Sequence, residues 1–145
     1  MLVSMRGDYG VRALIDLAQH YGRGSVQSSD IAARQSIPEP YLDQLLTTLR
    51  KAGFIHSTRG PQGGHVLARD PEEITLGEVI LALEGTVSPI ACLDNGTSCR
   101  QRSRCAQREV WLKVREQTLD LLNGITIGAL ADKERAREAQ GVYYI

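Results

Sequence analysis

Apolar residues return at helical spacing along most of the chain, and in one place the spacing changes to short β-type runs. Val11, Leu14, Ile15, Ala18 and Tyr21 form an i, i+3, i+4, i+7 stripe, which predicts an amphipathic helix ending near Gly22. In SSDIAARQ, Ser28 or Ser29 is placed to cap a short helix with Ile31 and Ala32 on its apolar face, and SIPEP breaks it. A longer helix runs from Glu39 to Ala52, with Pro40 in its first turn and Gly53 as its stop. Leu42, Leu45, Leu46 and Leu49 make its buried side, while Tyr41, Gln44, Thr47, Thr48 and Lys51 lie opposite.

The period then shortens. Phe54–Thr58 and His65–Ala68 flank a turn rich in glycine and proline, a hairpin signal. Thr75 and Glu78 have the spacing of a capping box for a fourth helix that stops at Gly85. A long helix follows from about Cys105 to Leu122, closed by Asn123 and Gly124. Its Trp111, Val114, Thr118 and Leu121 step 3, 4, 3, like a coiled-coil seam, and predict pairing with a second copy of the chain. The last residues alternate in charge and read as a solvated helix or tail.

Three helices followed by a hairpin is the order of a winged helix-turn-helix, in which the third helix reads the major groove and the hairpin touches backbone or minor groove. The expected fold is therefore mainly α with a small β-hairpin: a winged helix-turn-helix domain over 1–85, a cysteine-bearing loop over 86–105, a dimerisation helix and a short following helix over 106–131, and a solvated tail over 132–145.

Composition adjusts this picture little. A chain of 145 residues with 42% hydrophobic residues can bury a core without disulfides. No apolar run has the length of a membrane span and the N-terminus lacks a signal-peptide pattern, so the cytoplasm is expected. The net charge of zero weighs against nucleic acid only until the charges are located. Residues 98–115 hold six bases against one acid, whereas 66–97 hold one base against six acids. A local basic field is enough to attract DNA. No nucleophile–base pair or carboxylate dyad emerges, which argues against an enzyme.

Two stretches carry candidate chemistry. In the hairpin turn, Gly60 and Gly63 let backbone approach phosphate closely, Arg59 supplies charge, and Gln62 between them belongs to the same candidate DNA-binding set. The turn lacks the lysine-serine ending of a P-loop. On the preceding helix, Gln44 suits a bidentate contact to adenine, the Tyr41 hydroxyl a phosphate, and Arg59 the minor groove. Thr47 lies on the same face, and Ser28 at the start of the short helix joins this DNA-facing set. Asp43 is unusual there; it either accepts from a cytosine amine or repels wrong sites.

The second stretch, ACLDNGTSCRQRSRCAQR, contains Cys92, Cys99 and Cys105, the three cysteines of the chain. The gaps exceed those of zinc knuckles and fit a loop wrapped around something larger than one ion. Arg100, Arg102, Arg104 and Arg108 favour the thiolate form and suit an anionic group. An iron–sulfur cluster, zinc held with one of His20, His56 or His65, and thiol redox chemistry all remain open on these residues alone.

Together, GDYGVRALIDLA, YLDQLLTTLRKAGFI, STRGPQGGHVLARDPEEITLGEVILALEG, the three cysteines, CAQREVW and LLNGITIGAL resemble the IscR/NsrR family of winged-helix transcription regulators over nearly the whole chain. The resemblance implies a homodimer reading double-stranded DNA at a palindromic operator. It also implies a 2Fe-2S or 4Fe-4S cluster on the three cysteines that tunes DNA binding. IscR-like members have a histidine as fourth ligand where this chain has Arg108. NsrR-like members use an aspartate from the partner subunit, which matches Asp8 here. Pro38, Pro40 and Asp43 stand where the IscR branch has two serines and a glutamate, and His65 replaces a tyrosine of the wing.

Overall fold

The leucine and isoleucine stripes of the sequence meet in one core. The computed structural model describes residues 2–95 and 99–141. Residues 96–98 of the expected cysteine loop and 142–145 of the expected tail lie outside the described residues. The order is α1 (Met5–Gln19), α2 (Ser28–Gln35), α3 (Glu39–Lys51), β1 (Ile55–Thr58), β2 (Gly64–Leu67), α4 (Leu76–Glu84), α5 (Ala106–Asn123) and α6 (Ile127–Ala139), with single 3-10 turns at Pro71–Glu73 and Ala91–Leu93.

Ser4 caps α1 by accepting from the Gly7 N–H. The helix ends two residues earlier than the stripe implies. The His20 and Tyr21 N–H groups turn back to Leu17 and Ala18, three residues behind them, so Tyr21 leaves the apolar face and is half-exposed. α2 also corrects its expected start: Gln27 is its cap, without a side-chain bond, and Ser28 and Ser29 lie in its first turn. The reason is Val26, whose N–H and carbonyl are both bonded to His65 of the hairpin at 3.0 and 2.8 Å. That bridge ends where the helix begins.

α3 matches its pattern, with Leu42, Leu45, Leu46 and Leu49 buried and Pro40 in the first turn. β1 and β2 pair antiparallel with Ile55 opposite Leu67 and Ser57 opposite His65. Gly63 is required in the turn because a Cβ there would strike the Thr58 and Arg59 backbone. The capping box at Thr75 and Glu78 is complete, with each residue's side chain bonded to the other's backbone N–H.

α6 differs most from expectation. It continues without a break to Ala139, and Ile127 and Ala131 enter the same core as α1. Two backbone bonds, Leu76 N–H to Ile125 and Ile127 N–H to Ile74, strap its start to that of α4. Arg135 reaches the Gln19 carbonyl at 2.9 Å. Residues 132–139 are exposed and helical, so of the two expected forms, solvated helix or tail, they take the first.

α5 is the exception to burial: none of its 18 residues is buried. One face, including Trp111, Leu112, Thr118, Leu119 and Leu122, is half-covered by α4 and the Ala91–Leu93 turn. Among the described residues no helix is long and apolar enough to cross a membrane.

Candidate functional site

The reading head is set by α2 and α3. Asp16, fully buried on α1, accepts from Arg34 Nε at 3.0 Å, Arg34 Nη2 at 2.9 Å and Gln35 Nε2 at 3.1 Å. Arg34 and Gln35 close α2 just before Ser36, whose left-handed φ of 54° makes the turn toward α3. A buried carboxylate thus fixes the angle at which α3 leaves the core, and the Asp16 contact holds the Arg34 proton more tightly than usual.

Asp43, Gln44, Thr47 and Arg50 are exposed on α3. The Thr47 hydroxyl donates to the Asp43 carbonyl at 3.0 Å, which leaves its oxygen free to accept. Tyr41 is half-buried, with its ring edge-on to Tyr9 at 5.7 Å between centroids. Arg6 of α1 lines a cleft of about 210 Å³ with Tyr41, Gln44 and Thr48, adding a cation to this side that periodicity does not reveal. Ser28 is half-buried at the start of α2.

Arg59, Gly60 and Gln62 project at the exposed tip of the hairpin, while Gly63 is buried beneath them. Gly60 has φ of 108°, and its carbonyl accepts from the Gly63 N–H at 2.9 Å. Between the hairpin and α3 lies a second cleft, of about 180 Å³, lined by Asp43, Leu46, Thr47, Arg50, Ser57 and His65. Here the Ser57 hydroxyl and His65 Nδ1 share a hydrogen bond of 2.8 Å. Burial, and Arg50 beside it, hold His65 below the ordinary histidine range, with Asp43 acting in the opposite direction.

The thiols occupy the junction between α4 and α5. Cys92 lies in the Ala91–Leu93 turn, Cys105 is the N-cap residue of α5, and Cys99 is exposed between them. All three are free. Arg115 holds the turn to α5 by a long bond to the Leu93 carbonyl. Arg102, Arg104, Cys105 and Arg108 line one cleft at the start of α5, and among the described residues the buried Arg108 Nε meets no acceptor. Free sulfur donors, surrounding cations and an orphaned donor fit an anionic group held by thiolates. The donors are not gathered within one chain: among the described residues no three His, Cys, Asp or Glu side chains meet as a metal-holding group.

Asp8 lies on α1, paired through both oxygens with Arg12 at 3.0 Å. It also borders an apolar groove of about 360 Å³ between α1, α4 and the end of α5, lined by Val3, Gly7, Val11, Leu76, Ile80 and Leu122. Of the expected seam on α5, Val114 and Leu121 are exposed, whereas Trp111 and Thr118 are half-covered by the chain itself. Val110, 55% exposed, joins the outer face instead.

Comparison with known proteins follows the same lines. The family model of Rrf2, described as an iron-dependent transcriptional regulator, matches residues 3–133. The HTH-type transcriptional regulator CymR of Bacillus subtilis (strain 168) is 34% identical over 145 residues, the full length of both chains. The solved structure of T. potens IscR superposes with a TM-score of 0.75 at 41% identity, covering 97% of this chain and 91% of that one. The oxidized form of Staphylococcus aureus CymR gives a TM-score of 0.73 at 34% identity, covering 90% and 96%.

Proposed function

Because the chain belongs to the Rrf2 family of DNA-binding transcriptional regulators, we propose that it acts as a homodimer whose grip on DNA is governed by the thiol junction. The observation that carries this reading is α5, an 18-residue helix with no buried residue, which begins at Cys105. A helix so exposed gains its stability from a partner. Its N-terminal cap is one of the three thiols, so ligation and dimer packing act on one element.

On this reading α3 enters the major groove, with Gln44 and Asp43 at base edges and Arg59 in the adjoining minor groove. Two copies read a palindromic operator. Cys92, Cys99 and Cys105 hold an iron–sulfur cluster, whose sensitivity to oxidants or nitric oxide supplies the signal. Asp8 of the other protomer, at the rim of the α1–α4–α5 groove, completes the ligand set. Cys92 lies in the Ala91–Leu93 turn and Cys105 is the N-cap of α5, so holding both thiolates fixes where α5 starts. Arg108 does not ligate; its orphaned Nε donates to the anionic group. Binding is switched only by a difference in ligand affinity between DNA-competent and incompetent arrangements.

A second reading keeps the fold and dimer but omits the cluster, with thiol oxidation as the signal. It is favoured by three free, accessible cysteines that are not gathered into a ligand set, and by likeness to an oxidized CymR. Anaerobic purification separates the two. Brown protein containing iron and acid-labile sulfide, lost in Cys99→Ala, supports the cluster. Colourless protein whose DNA affinity responds to oxidation supports the thiol reading.

A further inference from the structure

We propose that the cleft between α3 and the wing binds a phosphodiester of the DNA backbone through Arg50, Ser57 and His65, and that this contact takes up a proton. The inference rests on α3 occupying the major groove, as proposed above.

The groups are positioned for it. His65 and Ser57 are direct cross-strand partners, and the His65 backbone is pinned twice to Val26, so its ring is presented from a fixed point. Arg50 projects from the last turn of α3 into the same cleft. A strand of duplex lying between recognition helix and wing must pass this opening. The cleft offers a guanidinium, a hydroxyl and an imidazole to a phosphate, and one opposing carboxylate, Asp43.

The Ser57–His65 bond makes the contact proton-linked. In the neutral ring, one nitrogen donates and the other accepts. With the Ser57 hydroxyl donating to Nδ1, neither the serine proton nor Nδ1 is available to a ligand. A proton from solvent adds to Nδ1, which then donates to the Ser57 oxygen, and the hydroxyl proton turns outward. The cleft gains a positive charge and a second outward donor. The groups facing His65 are Asp43 and Arg50 from α3, Ser57 from β1, and His20 and Tyr21 from the far side at the end of α1. In the free protein, burial disfavours the charged ring. A phosphate in the cleft favours the cation, so the complex binds more protons than its parts.

The sign follows from linkage: operator affinity rises as pH falls, by at most about tenfold per pH unit for one proton. The test is fluorescence anisotropy from pH 5.5 to 8.0 at constant ionic strength and equal iron content. The probe is a duplex selected from random-sequence DNA by the wild-type protein. Wild type is expected to tighten on acidification, His65→Gln and His65→Tyr to give flat profiles, and His56→Gln to keep the wild-type slope. Arg50→Gln should weaken binding and reduce the salt slope by about one. A neutral methylphosphonate walked along the duplex should abolish the pH slope at one position per half-site. Parallel slopes in wild type and both His65 variants would overturn the proposal. If Gln44→Ala also leaves affinity unchanged, the docking of α3 fails; if Gln44→Ala weakens binding while the slopes stay parallel, only the proton-linked contact fails.

Discussion

As proposed DNA contacts, Gln44 and Arg59 would act by different physics, and substitution separates them. Gln44 projects from an exposed helix face and offers both a donor and an acceptor, so Gln44→Ala should lose about 1–3 kcal/mol of discrimination at one base pair while binding to other sequences changes little. Arg59, at the tip of the wing, offers charge; Arg59→Ala should weaken all sequences and flatten the salt dependence by about one unit of slope. Competition binding against single-base operator variants at several salt concentrations measures both. These two residues were legible in the chain, because polar groups opposite a leucine stripe and an arginine before glycines announce themselves locally. Asp16 and the Ser57–His65 pair were not. Asp16 lies within the run Leu14 to Ala18, and its partners Arg34 and Gln35 are far along the chain. A charged residue inside an apolar run was the available signal, since such a group is buried only when it is paired. Ser57 and His65 meet only through the register of the hairpin.

At the scale of elements, α4 and α5 are held by opposite means. α4 is fixed internally by its capping box. Thr75→Ala should cost about 1 kcal/mol, or roughly 3 °C in melting temperature. Desolvation pushes the Glu78 carboxyl up, but the Thr75 N–H and Arg69 outweigh it, and its pKa lies below the ordinary range. A depressed carboxylate stabilises the fold above its unfolded pKa, and that contribution is lost as pH falls through the lower folded value. Thermal melts from pH 3 to 7 should therefore drop on acidification, and less steeply in Glu78→Gln. α5 depends on what lies outside the chain. Leu121 is 66% exposed and lines up with Val110 and Val114 at spacings of 4 and 7. Leu121→Glu should put a carboxylate into the seam, yield a monomer in sedimentation equilibrium, and cost roughly a hundredfold in operator affinity through lost bivalency. Periodicity located α5 but not the exposure of each position, since Trp111 and Thr118 are half-covered within the chain while Val110 and Val114 are exposed. The helix after α5 is expected to be short because the charges from Asp132 onward carry no apolar stripe, whereas α6 continues to Ala139 and buries Ile127 and Ala131.

If the thiol junction at one end of α5 acts on α3, as proposed, the coupling must pass through α1 and α2, which set the angle of α3. Asp8 offers a route: it shares α1 with Asp16, which clamps α2 and so α3. In the free chain Asp8 is engaged by Arg12, and that pair is exposed, so Arg12 would compete only weakly with the partner's thiol site for the carboxylate. Transfer of Asp8 from Arg12 to the partner's thiol site would couple the two protomers and hold both α1 helices at fixed separation. The spacing of the two α3 helices follows from it. Asp8→Ala should then leave dimerisation and the three thiolate ligands intact, while the visible spectrum changes and the iron is lost faster in air. Asp8→Asn keeps the size but not the charge and should behave similarly. Arg12→Ala should do the reverse, freeing Asp8 and slowing iron loss. Equal rates of iron loss in wild type, Asp8→Ala and Arg12→Ala, followed by visible absorption, would remove Asp8 from the ligand set and leave α5 as the sole link between thiols and DNA.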